Sequence, residues 1–190
     1  MPLSRRNFQI ALVVFVAVAL IVILMALDHV ISHRRWPVKT LSDADRSRVV
    51  REPVDTTVAD LSSLPRAPEP LPLDGRVPPH EVTVYRVRAK LVAVHKMLDG
   101  DFHMEIADPD APSARMIVEI PAPAEGRPSG LEATFLAARR EVRRRGARGR
   151  LIRVTGVGFF DYTHWQPGAA SNGFELHPVL AVEFLESGAQ

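Results

Sequence analysis

The chain contains no cysteine. Disulfides, thiolate catalysis and cysteine-ligated zinc are thereby excluded. Other familiar signatures are missing too. No Gly-x-Ser-x-Gly elbow, P-loop or Rossmann glycine pattern occurs, so nucleophilic and nucleotide chemistry find little support. Aromatic residues are sparse, with two Trp and two Tyr among 190 residues. Charge of one sign is also lacking, since 24 Lys and Arg face 22 Asp and Glu. Bulk charge therefore does not mark the chain as a polyanion binder.

What is present first is a long apolar run. Ile10 to Leu27 reads IALVVFVAVALIVILMAL, 18 uncharged residues in succession. A helix that spans a bilayer needs ~20. A cleaved signal peptide would carry a shorter apolar core, about 7–15 residues, ending in an A-x-A-like site. The run ends instead in Met25-Ala26-Leu27-Asp28-His29, a poor cleavage site. The expectation is a short cytoplasmic tail over residues 1–9 and an uncleaved single-pass signal anchor over residues 10–30, with the bilayer as partner. Arg5 and Arg6 precede the run and Arg34, Arg35 and Lys39 follow it, so the positive-inside count is nearly balanced. A very short tail with two Arg is like that of bacterial signal anchors. It places the rest of the chain outside the inner membrane.

Residues 31–80 read as a Pro-rich linker. Eight of the 16 prolines lie between positions 37 and 80, most densely from Leu64 to Pro72 and at Val77-Pro78-Pro79. Proline removes backbone donors and fixes φ, so the expectation is an extended spacer that adds no core. Ser42 to Val50 has the pattern of a short helix, with Ser42 as cap and Asp45 three residues on.

From Glu81 the character turns to strand, and residues 81–187 are expected to form one domain. Val82 to Val94 alternates, with Val87, Ala89, Leu91 and Ala93 on one face and Arg86, Arg88 and Lys90 on the other. Asp99-Gly100 is a hairpin signal. Phe102 to Ala107 alternates again, with Phe102, Met104 and Ile106 opposite His103 and Glu105. Met116 to Ile120 is a third strand. Ser129-Gly130-Leu131-Glu132 has capping-box spacing before an amphipathic helix from Leu131 to about Arg145, which Gly146 ends. Two apolar runs follow, Leu151 to Phe160 and Phe174 to Leu185, joined by a loop of about twelve residues. Gly156 and Gly158 fall inside the first of them, where they suit a strongly bent strand.

Five strands with one helix between the third and fourth describe an OB-fold-like five-stranded β-barrel. The expected fold is therefore mainly β, with that barrel behind the transmembrane helix and linker. Its core is expected to hold Val87, Leu91, Phe102, Met104, Ile106, Val118, Phe135, Val154, Leu176 and Val182. Four segments also resemble a known pattern: Asp99-Gly100-Asp101-Phe102-His103, Met116 to Pro121, Val154 to Asp161, and Glu175-Leu176-His177-Pro178-Val179. Together they resemble an uncharacterised family of bacterial exported or membrane-anchored OB-fold-like domains. The resemblance covers roughly residues 85–185. It implies the barrel and an extracytoplasmic placement, and no activity.

In an OB barrel the loop after the first strand and the loop between the last two strands border the usual ligand face. These loops gather His95, Lys96, Asp99, Asp101, Asp161, Tyr162, His164, Trp165 and Asn172, with His103 and His177 at their edges. All eleven are candidate ligand-binding residues. Asp101, His103, Asp161 and His164 are the candidate set for a divalent metal ion, since carboxylate and imidazole are its natural ligands. Trp165 and Tyr162 suit stacking on a ligand, with His164 expected beside His103 or His177. A plainer reading gives these residues to the fold: Asp99 and Asn172 shape turns, and His177 bonds a loop carbonyl.

Charge argues against nucleic acid. Residues 131–153 hold eight Arg against Glu132 and Glu141, away from the ligand face, while Asp99, Asp101, Asp108, Asp110 and Asp161 lie near it. The reading that results is a membrane-anchored, extracytoplasmic binding or assembly module of the bacterial cell envelope. It would need no cofactor, and its partner would be an envelope protein or small ligand. The alternative is a metal-dependent, nuclease-like hydrolase using the Asp/His cluster.

Overall fold

The computed structural model describes residues 7, 9, 12–20, 22–23, 35–162 and 167–186. The chain divides into two compact units, residues 1–36 and 37–190. In the first, the described residues between 7 and 23 are helical, and large apolar side chains such as Leu12, Phe15 and Leu20 are exposed. Among the described residues no helix is long and apolar enough to cross a membrane. Much of the expected span over residues 10–30 lies outside the described residues.

The second unit begins at the short helix α1 (Trp36–Lys39), which overlaps the boundary. Then come β1 (Val50–Thr56), the short helix α2 (Val58–Ser62), β2 (Thr83–Lys96), β3 (Phe102–Ala107) and β4 (Arg115–Ile120). Helix α3 (Glu132–Arg145) follows, then β5 (Leu151–Phe160) and β6 (Phe174–Phe184). The sheet order is β1-β2-β3-β4-β6-β5, and β5 pairs back onto β2. Five strands thus close into a barrel, with α3 between the third and fourth of them and a parallel β4–β6 pairing. This is the OB-like arrangement expected from the strand pattern.

The barrel is filled as the alternation requires. All ten expected core residues are buried. Phe135, Ala138 and Val142 of α3 join the same core, because positions spaced three and four apart share one helix face. Along β2 the pattern breaks once. The β2–β3 register shifts between Leu91 and Ala93, so Val94 pairs with Met104 and packs against the core in place of Ala93. An extra residue in one strand reverses the inward set beyond it.

Two local expectations are corrected. Helix α3 starts at Glu132 with Leu131 as its cap and no side-chain cap bond, while the Ser129 hydroxyl donates to the Gly126 carbonyl. The stretch from Ser42 is a 3-10 turn, Ala44–Arg48, without a side-chain cap. In both, the hydroxyl donates back to a carbonyl, Ser129 to Gly126 and Ser42 to Pro37, and caps no amide.

The largest correction concerns residues 37–80, expected as a spacer without core. They are part of the folded unit. Strand β1 extends the sheet by pairing in parallel with the start of β2. Val58, Leu61 and Leu71 enter the barrel core, while Leu41 and Val49 pack with Val84 and Val157 outside it. Arg76 is fully buried and donates to both carboxylate oxygens of Asp43 and to the carbonyls of Val38 and Glu81. Buried Glu81 accepts from the amides of Val77 and Phe160. Proline-rich backbone, short of its own donors, is held here by side chains that satisfy what remains.

The glycines of β5 prove to be sites of close approach as much as of bending. A Cβ at Gly158 would stand 2.4 Å from the His80 carbonyl oxygen, so only glycine lets the 80–82 turn lie on the strand.

Candidate functional site

The hairpin after β2 starts the site. Gly100 takes a positive φ of 93°, and the Asp99 carboxylate accepts from the Asp101 amide at 3.0 Å. The Asp101 side chain is fully buried, and one of its oxygens accepts from the Ala122 amide at 2.8 Å. Beyond the hairpin, alternation does the placing. Phe102, Met104 and Ile106 face the barrel interior, so His103 and Glu105 face outward. Val118 and Leu176, paired across β4 and β6, face inward, so Glu119, Glu175 and His177 face outward. Cross-strand register lines up His95, His103 and Glu119 on that outer face.

This outer face is not wet. Asp101 and His177 are fully buried, and His103, Glu105, Glu119 and Glu175 are each at most 9% exposed. The distal loop lies against it: a Cβ at Gly168 would meet the Glu105 Cγ at 2.3 Å. Lys39, from the stretch expected to be linker, brings its ammonium to 3.0 Å from Asp161 Oδ2. It also lies 5.3 Å from the Phe159 ring centre, and that ring packs edge-on against His177 at 5.8 Å.

A buried polar cluster results. His103 Nδ1 is 2.7 Å from Glu119 Oε1. His177 Nδ1 lies 3.2 Å from Glu119 Oε2 and 3.5 Å from Glu175 Oε1, and His177 Nε2 lies 3.7 Å from Asp101 Oδ2. None of these three His177 approaches makes a hydrogen bond: both ring nitrogens, Asp101 Oδ2 and Glu175 Oε1 are buried without a partner.

Electrostatics follow from that crowding. Burial pushes the Asp101 carboxyl up to about 7, against the opposing pull of His177. Burial alone would lower His177, but Glu119 and Glu175 outweigh it and carry the imidazole up to about 9. Glu119 is raised by burial, yet His103, His177 and Lys39 hold it well below the usual carboxylate range. Burial and the neighbouring Glu119 push Glu175 up. Burial would lower Lys39, but Asp161, Glu175 and Glu119 together keep its ammonium above the ordinary value. His103 is likewise lowered by burial and raised, on balance, by Glu119. The arrangement can hold protons, or a cation in their place.

Of the residues expected at the site, the structure brings Asp101, His103 and His177 together and ties Asp161 to them through Lys39. His95 shares the outer face but is exposed. The other candidates serve elsewhere. Lys96 pairs with Phe102 and so points to the opposite side of the strand, exposed. Asp99 shapes the turn. Tyr162 packs against the core. Asn172 accepts from the Phe174 amide and donates to the Leu61 and Leu64 carbonyls, which makes it a bracket for α2. His177 does not bond a loop carbonyl; three carboxylates surround its ring. Of the expected metal set, Asp161 is engaged by Lys39, and among the described residues the group with metal-like spacing is Asp101, Glu119 and His177. His164 and Trp165, and every expectation placed on them, lie outside the described residues.

Lys39, Glu119 and Glu175 were not among the expected residues. The two glutamates had a signal: each flanks an inward residue in a short apolar strand, which puts a carboxylate on the outer face. Lys39 had none, because nothing local marks it as folding onto the barrel.

No family model matches the chain, and no curated protein matches it. Among solved structures, an aspartyl-tRNA synthetase from Leishmania major Friedlin overlays 74% of this chain at 10% identity and TM-score 0.42. An asparaginyl-tRNA synthetase from Entamoeba histolytica overlays 74% at 10% identity and TM-score 0.43. An OBody bound to hen egg-white lysozyme overlays 56% at 14% identity and TM-score 0.36, covering 84% of that chain. The chain spans only 22% and 25% of the two synthetases. At such TM-scores these overlays carry no functional argument, and the barrel assignment stands on the strand order and pairing of this chain.

Proposed function

We propose that this chain is an OB-like binding module, tethered to the bacterial inner membrane by its apolar N-terminal segment and facing the cell envelope. We place its binding face on the outer side of β3, β4 and β6, and its ligand carries positive charge. One observation carries the reading of the face. Asp101, Glu119, Asp161 and Glu175 converge there around His103, His177 and Lys39, in a layer almost closed to water. Carboxylates buried in excess over permanent cations are costly unless something positive joins them. The tether rests on Ile10 to Leu27, and the envelope placement on the short tail with Arg5 and Arg6 and on the family resemblance.

A nucleic acid is the contrary ligand, since OB barrels also bind oligonucleotides. Phosphate binding needs cations on the face and falls steeply with salt. The full chain in detergent, titrated with labelled single-stranded oligonucleotides and separately with spermidine and divalent ions, separates the two. Amide shifts confined to residues 101–105, 117–119 and 175–177 on adding a cation support the proposal. Salt-sensitive oligonucleotide binding that shifts the same amides overturns it. Protease added outside spheroplasts should digest residues 37–190; protection until lysis would reverse the orientation.

A further inference from the structure

We propose that Asp101, Glu119 and His177 form a site for one divalent first-row metal ion, of the Zn2+ or Mn2+ kind. The proposal rests on the reading of this face as one that takes positive charge, and names the ion. Three strand-borne segments supply one ligand each: Asp101 just ahead of β3, Glu119 from β4 and His177 from β6. One atom from each lies within 4.8 Å of the others. Ligands sharing an ion at bond lengths of roughly 2.0–2.2 Å stand roughly 3–3.6 Å apart. The His177 Nε2 to Asp101 Oδ2 distance of 3.7 Å is close to that already, and Glu119 completes the set with an oxygen within the same 4.8 Å group.

A second, independent observation points to a ligand. Asp101 Oδ2 and both ring nitrogens of His177 are buried with no hydrogen-bond partner. Each such group forfeits roughly 1–3 kcal/mol, and native interiors hold few of them. The two orphans that face each other, Nε2 and Oδ2, are too far apart to bond directly and close enough to share an ion. An ion at Nε2 leaves the proton on Nδ1, on the side of Glu175 Oε1 at 3.5 Å, while Glu119 turns to the ion. A carboxylate behind the ligating imidazole is the usual outer support of a metal histidine. His103 is a positioning residue, since its contact with Glu119 Oε1 leaves the other oxygen to turn inward. The Ala122 amide similarly anchors the far oxygen of Asp101.

Donor chemistry selects the ion class. One imidazole with two carboxylates suits a borderline cation; sites for Ca2+ and Mg2+ are built from oxygen alone. Two carboxylates and a neutral imidazole also balance a charge of +2. Lys39 does not contest the position, because its ammonium is held by Asp161 at 3.0 Å.

The test uses the full chain in detergent without a polyhistidine tag, stripped with EDTA and then exposed to Zn2+, Mn2+, Ca2+ or Mg2+ singly. About one equivalent of Zn2+ or Mn2+ should survive gel filtration and raise the melting midpoint, and the His177 imidazole nitrogens should shift in the NMR spectrum. Asp101→Asn and His177→Gln should each weaken uptake ~10-fold or more, while the exposed His95→Ala leaves it unchanged. Absence of any retained ion in the unaltered chain overturns the site, as does retention that both variants leave intact. Should both variants fail to fold, a Co2+ absorption spectrum of the unaltered chain decides, since ligand-field bands with a coincident His177 shift place the ion. Spermidine binding without metal uptake would remove this site and leave the proposed function standing. Oligonucleotide capture by the face would overturn the proposed function, whatever ion is found.

Discussion

The inside of the barrel and the layer on its outer β3–β4–β6 face are both nearly closed to water but are built from opposite materials. Met104, Ile106, Val118 and Leu176 fill the interior; one residue along the same strands, His103, Glu105, Glu119 and His177 form the outer layer. The interior is stable by itself, because each buried apolar side chain contributes roughly 1.5–3 kcal/mol without needing a particular partner. The outer layer depends on pairing, and part of its pairing is unmet. Burial alone thus says little about stability: in one layer it is the driving force, in the other a cost that a ligand can offset.

The sharpest way to break this contrast is to remove what covers and completes both layers. Residues 37–78 give Val58, Leu61 and Leu71 to the interior and Lys39 to the outer face. A chain beginning at Pro79 should therefore lose its cooperative thermal transition, whereas one beginning at Pro37 should keep it. A sharp, undiminished melt from the shorter chain would show that the barrel needs neither contribution. Next in size, Phe135→Ala should cost about 3–5 kcal/mol and Leu91→Ala about 2–5 kcal/mol in chemical denaturation, as cavities in a packed core do. A denaturation midpoint unmoved by Leu91→Ala would show that the strand register is wrong.

A smaller effect separates the layers by pH. In metal-free protein His177 is raised from 6.5 to about 9, so the fold favours its charged form. The stability it contributes is complete below pH 6.5 and is lost as pH rises through 9. Asp101, raised from 3.8 to about 7, acts in the same direction at lower pH. Glu119 acts oppositely, but its ordinary value of 4.5 lies below the upper window. The melting midpoint in EDTA should fall between pH 6.5 and 9, and His177→Gln should flatten that fall while Leu91→Ala leaves its slope alone. An identical slope in His177→Gln would mean that another group titrates. Smallest of all, Val54→Thr on β1, whose side chain is about half exposed, should stay within about 0.5 kcal/mol of the parent protein.

Period-two alternation was enough to read the interior, because a strand with one apolar face can pair in only one orientation. It failed at Ala93 and Val94, where a register shift is decided by the partner strand. Of the site, Asp101, His103 and His177 were legible as polar residues near two loops that an OB barrel brings together. Their true neighbours were not. Glu119 sits within a strand, outside both loops. Asn172 and Asp99 have loop composition and do turn work.

The sequence alone determined the order of the five barrel strands, the helix between the third and fourth of them, and the strand and α3 side chains that fill the barrel. Those follow from local periodicity and turn chemistry, which neighbours along the chain carry. Only the tertiary structure decided that residues 37–80 fold onto the barrel, that Lys39 meets Asp161, and that His177 lies among three carboxylates. Apart from Glu175, two positions from His177, those contacts join residues far apart in the chain. Proline-rich composition removes the local signal in the first stretch, and polar residues on an outer face look solvated until something covers them.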